Sequence, residues 1–217
     1  MAVNLNVIFA GHARLANLIA GLTDSQTRAD SALPGWSRGH VLTHLAEHAK
    51  ALKRQASYAL DGKLVDMYDG GLPRRAADIE AGSSRPASVL VDEVVQSAKD
   101  LETTWAAVGP EDWARPVKYR DGTLEGTFLA RWREVEIHSA DLNLGPVAWS
   151  PEFCDYIIDF MAPRVPPGIS LVLPDRTLGV GEPVRVAGDL PDIAAWLAGR
   201  GDDGVTVTRP TELGPWP

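Results

Sequence analysis

Two short stretches carry the side chains most able to do chemistry. "HVLTHLAEH" sets His40, His44 and His48 four residues apart, and "RWREVEIHSADL" sets Glu134 and His138 at the same spacing. Residues four apart on a helix share a face. Imidazole nitrogens with a carboxylate oxygen form a donor set for divalent metals: zinc fits it, and so do Fe, Co, Ni or Mn. Two histidines and one carboxylate from two helices would leave a coordination position open, as catalytic rather than structural zinc sites do. The plainer alternative is amphipathic histidines at a core edge and an exposed i,i+4 pair worth a few tenths of a kcal/mol. The pattern alone leaves both open.

The helices that must position these groups are legible. Ser37 fits an N-cap, and Trp36 before it is placed to pack on Val41 as a hydrophobic staple. At about 100° per residue, Val41, Leu42, Leu45, Ala49 and Leu52 form one apolar arc. His44 and His48 flank it, while His40 falls further round in the first turn, so periodicity by itself leans slightly to His48. On the later helix Phe128, Trp132, Val135, Ser139 and Leu142 form the inward stripe. Glu134 and His138 lie just off it, beside Arg131 and Asp141.

Other chemistries are disfavoured. The single cysteine, Cys154, excludes an intramolecular disulfide or a thiolate cluster, and its apolar helical setting reads as a buried structural thiol. A net charge of -8 argues against sequence-independent nucleic-acid binding. An anionic small molecule entering such a protein needs local cationic anchors, so single arginines become informative. No apolar run reaches membrane-spanning length, and the first residues lack signal-peptide features. The expectation is a cytoplasmic protein, monomeric or homodimeric, with no membrane and no nucleic-acid partner.

The 217 residues, 45% of them hydrophobic, suit a globular chain of one or two domains. Helical patterns cover 4–22, 37–60, 87–108, 126–145 and 151–162. The last bundle helix is expected to stop at Gly145-Pro146, and 63–85, with Gly70-Gly71, Pro73 and Gly82, reads as a long irregular connection. After "PRVPPG" the pattern changes to short strands, "ISLVL", "RTLGVG", "PVRVAG" and "GVTVT", with a helix in "DLPDIAAWLAGRG". The fold class expected is α+β: a four-helix bundle over 1–163, then a small α/β domain over 164–217.

"GWSRGHVLTHLAEHAKAL", "RWREVEIHSADL" and "VAGDLPDIAAWLAGRGDDGV" together resemble the mycothiol-dependent maleylpyruvate isomerase family. That family joins a DinB-like four-helix bundle to a small C-terminal α/β domain. The resemblance implies a divalent metal, usually zinc, held by one histidine of the second helix and a Glu-x-x-x-His pair of the fourth. Its pattern W-[ST]-x-x-x-[LV]-[LIV]-x-H-[LV]-A runs here from Trp36 to Ala46 and selects His44, and "REVEIH" supplies Glu134 and His138. It further implies two catalytic arginines. Arg200 lies in "GRG", and Arg75 fits a setting like "RxxxIxxGS", with Arg74 adjacent. His40, His48 and His12 match no ligand of the family; His48 faces inward one turn from His44.

The activity implied is conversion of maleylpyruvate to fumarylpyruvate in gentisate breakdown, with mycothiol as cofactor. A cis alkene conjugated to a carbonyl rotates only while its double bond is lost. Conjugate addition of a thiolate makes that bond single, and elimination after rotation returns the thiol and the trans alkene. The chain has no suitable cysteine, so the thiol must come from outside. The substrate is anionic at both ends, which suits Arg75 and Arg200 as planar carboxylate forks. Two further readings stand beside this one: a mycothiol S-transferase, and a DinB-like metal-binding protein without turnover in which His48 fills the fourth position.

Overall fold

The computed structural model describes residues 3–145 and 149–217. Pro146, expected to close the last bundle helix, lies outside them. The chain divides into two compact units, Met1–Pro146 and Val147–Pro217.

The first unit is a helical bundle. Its long helices are α1 (Leu5–Ile19), α3 (Arg38–Leu60), α5 (Ala87–Ala106) and α6 (Leu124–Asp141), with the short α2 (Asp24–Arg28) and α4 (Gly71–Gly82) in the connections. Helix α3 packs on α5 and α6, and α1 on the same two. The shared core includes Leu15, Val41, Leu45, Val94 and Val135, all buried, with Trp36 lying against it as its staple position requires. Helix α3 begins with a reciprocal capping box. Ser37 Oγ accepts from the His40 amide, and His40 Nδ1 accepts from the Ser37 amide at 3.1 Å. This gives His40 a structural task and removes it from the ladder of candidate ligands.

Helix α4 corrects the expectation of an irregular 63–85 connection. The glycines and proline read as loop signals act instead as helix-start signals. Gly70, at φ 82°, turns the chain into α4, and Pro73 falls in its first turn, where amides lack helical partners anyway. The end of α4 is pressed against the start of α3. A Cβ on Gly39 would stand 2.0 Å from the Ser83 carbonyl oxygen, and one on Gly82 2.6 Å from Thr43 Cγ2. Side chains at either place would push α4 away from the histidine-bearing helix.

The second unit begins with α7 (Pro151–Met161), which the sequence reading grouped with the bundle. Its apolar face, Phe153, Cys154, Ile157, Ile158 and Met161, is buried, and α7 packs against α8 (Leu190–Leu197). The helical periodicity of 151–162 was legible, but periodicity does not say which core a helix joins. The sheet has the order β2-β1-β3-β4, from β1 (Gly168–Val172), β2 (Thr177–Gly179), β3 (Gly181–Ala187) and β4 (Thr206–Val207). β1 is antiparallel to β2 and parallel to β3, and β3 is antiparallel to β4. Helices with a small mixed sheet make the chain α+β, as expected. No described helix is long and apolar enough to cross a membrane.

Candidate metal centre and its pocket

Helices α3 and α6 bring three donor atoms to one point. His44 Nε2 lies 2.6 Å from Glu134 Oε2 and 3.1 Å from His138 Nε2, and His138 Nε2 lies 3.2 Å from that same carboxylate oxygen. Among the described residues this is the group of three whose donor atoms could hold a metal ion. A tetrahedral cation with ligands near 2.0–2.2 Å sets neighbouring donor atoms about 3.3 Å apart. Two of the observed spacings, 3.1 and 3.2 Å, fall near that value, and the 2.6 Å contact between His44 and Glu134 is a hydrogen bond that would open on binding, so the donor set fits a divalent ion in chemistry and in approximate size.

The electrostatics also call for positive charge. Burial works against ionised Glu134, yet His48, His138 and His44 around it hold its carboxyl well below the usual carboxylate range. His138 is pushed up from 6.5 to about 9. Burial opposes this shift, and the hydrogen bonds to Asp141 and Glu134 overcome it. Burial, only partly offset by Glu134, pushes His44 down and keeps it neutral. Folding therefore raises the His138 pKa, and its protonated form contributes stability that is complete below pH 6.5 and lost as pH rises through about 9. Thermal unfolding of chelator-treated protein should show Tm falling between pH 6.5 and 9.5, and His138→Phe should remove that part of the slope.

Asp141, 1% exposed, receives a hydrogen bond from His138 Nδ1 at 2.8 Å. Such a contact holds the Nδ1 proton, so that a cation displacing the other proton would find Nε2 turned toward the cluster. Asp141→Ala should weaken metal affinity about 10–100-fold without changing the ligands, as competition with a chromophoric chelator would measure. The i,i+3 spacing from His138 was the sequence signal for this role.

The cluster forms the floor of a cavity of about 780 Å³ within the first unit. Leu33 and Trp36 line one side, the indole edge-on to His44 at 5.8 Å between ring centres. Tyr68 and Arg75 line another, with the guanidinium 5.4 Å from the Tyr68 ring. Arg75 Nη2 donates to His44 Nδ1 at 2.9 Å, so the unexpected helix α4 carries this arginine to the cluster. Lys118, Tyr119 and Arg120 form a further wall that sequence reasoning missed, because they lie on an irregular segment with no periodicity.

The remaining candidates have definite places. His48 is 2% exposed on the pocket wall, its ring centre 6.0 Å from that of His44, and its Nδ1 has no hydrogen-bond partner. It is not among the three converging residues. His12 pairs with Glu102 at 2.7 Å and accepts from Arg131 Nε at 3.0 Å, and burial lowers its pKa to about 4. Arg200 belongs to the second unit, where it follows α8, donates to the Ala198 carbonyl at 2.9 Å and lies 4.9 Å over the Trp216 ring.

A four-helix bundle with a two-histidine, one-carboxylate cluster under an open pocket defines a class of bundle proteins equipped for a metal. The family model of the mycothiol maleylpyruvate isomerase N-terminal domain matches residues 8–143, and the chain belongs to that family. A crystal structure of mycothiol-dependent maleylpyruvate isomerase is similar over 98% of this chain and 95% of that one, with a TM-score of 0.85 and 24% identity. A histidine-to-alanine mutant of mycothiol-dependent maleylpyruvate isomerase gives 0.82 and 23% over the same shares. At these identities the likeness establishes the fold. No curated protein sequence matches the chain.

Proposed function

We propose that the protein is a metal-dependent enzyme that uses mycothiol to isomerise maleylpyruvate to fumarylpyruvate. His44, Glu134 and His138 would hold the metal, zinc in this reading, and Arg75 and Arg200 would engage the substrate carboxylates. The observation that carries the proposal is the convergence of those three donors at a pocket floor, in a chain of this family. A divalent cation held there would lower the pKa of a bound thiol and keep it as the nucleophilic thiolate.

The chain's own residues account for the rest. A guanidinium only donates, so its contact with Arg75 makes His44 Nδ1 an acceptor and leaves the ring proton on Nε2, facing Glu134. Ligation through Nε2 requires that proton to move, and a proton on Nδ1 ends the contact with Arg75. With a cation held at Nε2, the neutral His44 ring would carry its proton on Nδ1 and would no longer accept from Arg75, whose fork would then be available to a carboxylate or the enolate oxygen formed on addition. Trp36 and Leu33 present apolar surface on one side of the cluster. Arg200 is assigned by the resemblance. Arg200→Lys should lose most turnover with metal content unchanged, because an ammonium cannot reproduce the planar fork.

The test is to incubate metal-loaded protein with mycothiol and maleylpyruvate, following ultraviolet absorbance and product mass. Trans product without net thiol consumption is the expected result. A stable thiol adduct would instead make the protein an S-transferase, and unchanged reactants would leave a metal-binding protein without turnover.

A further inference from the structure

The pocket lining also contains an arginine on backbone that does not suit it. Residues 117–122 form a tight reversal, closed by the Val117 amide donating to the Gly122 carbonyl at 2.9 Å and flanked by a bridge between Pro116 and Thr123. Its central residues are Arg120 at φ 52° and Asp121 at φ 49°, both left-handed. Gly, Asn and Asp suit left-handed positions, whereas an arginine there costs about 1–2 kcal/mol. A turn that keeps a long cation under such strain at the edge of a pocket points to use of that side chain.

The turn is also held in a fixed place relative to the cluster. Gln55, 2% exposed, accepts from the Tyr119 amide at 3.3 Å and donates to the Val65 carbonyl at 2.8 Å. One buried amide thus ties both irregular walls to α3. Gln55 lies three helical turns, about 16 Å, beyond His44 on the same face.

We propose that Arg120 is a specificity-determining residue that binds a carboxylate of the substrate, with Gln55 positioning its turn. The proposal rests on reading this pocket as the site of an acidic substrate. It adds to Arg75 a further carboxylate fork within the same unit, at the pocket floored by the histidine cluster. The planar guanidinium supplies the paired donors a carboxylate accepts, and in a chain of net charge -8 such a local cation is what draws an anion in.

The probe is maleate, a cis dicarboxylate that needs no turnover, titrated calorimetrically into metal-loaded wild type, Arg120→Asn and Arg120→Lys. Asn tolerates the left-handed conformation, so its Tm should equal or exceed that of wild type. Maleate affinity should fall about tenfold or more in Arg120→Asn and recover in part in Arg120→Lys, while neutral maleamide should not distinguish the proteins. With maleylpyruvate, Arg120→Asn should raise KM by a similar factor and leave kcat within about twofold. Equal maleate affinity in wild type and Arg120→Asn would overturn the proposal, as would no maleate binding to wild type. Weaker mycothiol binding with unchanged maleate binding would overturn it in favour of a thiol subsite. The isomerase reading fails separately: maleate binding that depends on Arg120, in a protein that does not turn over maleylpyruvate, would keep this inference and remove that one.

Discussion

Alanine at His44 is expected to strip the protein of its divalent cation while leaving the bundle folded. Four-ligand zinc sites bind with about 10–16 kcal/mol, so one ligand of three carries about 3–4 kcal/mol, or about 10²–10³ in affinity. Turnover should fall at least as far, because the remaining Glu134 and His138 come from one helix and cannot enclose the ion. The fold should survive, since His44 lines the pocket rather than the apolar core between the helices. Glu134→Gln should lose metal in the same way by removing the anionic donor. His48→Ala is the control: its ring lies outside the converging set, so metal content should be retained. Elemental analysis after dialysis, beside circular dichroism, reads all three. Full metal occupancy in folded His44→Ala would remove it from the site.

Arg131→Ala is expected to have the largest effect on stability, about 3–5 kcal/mol. Its side chain is fully buried; Nε donates to His12 Nε2 and Nη1 to the Leu45 carbonyl at 2.8 Å. Burial lowers its pKa to about 10, partly countered by Glu134 and Glu102, so it remains a cation at neutral pH. Truncation leaves a cavity, deprives buried His12 of its donor, and takes a positive charge from beside Glu134. For a chain of this size the loss corresponds to roughly 10–15 °C in Tm. The double variant His12→Phe with Arg131→Met should cost less than the sum of its singles, because the polar groups left unpaired are then removed together. Denaturant unfolding of wild type, the two singles, the double variant and Arg131→Ala measures this, and a loss below about 1 kcal/mol in Arg131→Ala would show that the network is not structural.

The bundle was legible because its helices are long, periodic and cleanly capped. The three candidate ligands were legible for the same reason: four-residue spacing on a regular helix fixes which side chains share a face. Choosing among the histidines took more than spacing. Periodicity leaned to His48, the resemblance selected His44, and the structure brings His44 to Glu134 and His138 while His40 serves the capping box. The sequence failed where glycine and proline have two meanings. Gly70-Gly71 and Pro73 open α4 rather than prolong a loop, and so Arg75 sits on a helix. Helix α7 shows another limit, since an apolar face does not name the core it joins. The wall at Arg120 was missed although Asp121-Gly122 marks a turn there, because a turn signal does not say which cavity its side chains will line.

The central claim is that His44, Glu134 and His138 hold a divalent ion that accepts the thiol. X-ray absorption of the zinc-loaded protein, before and after adding mycothiol, tests it most directly. Two imidazoles and light oxygen donors near 2.0–2.2 Å are expected first, with a sulfur neighbour at about 2.3 Å appearing when the thiol is added. A spectrum of three imidazoles, or one that mycothiol leaves unchanged, would contradict the account.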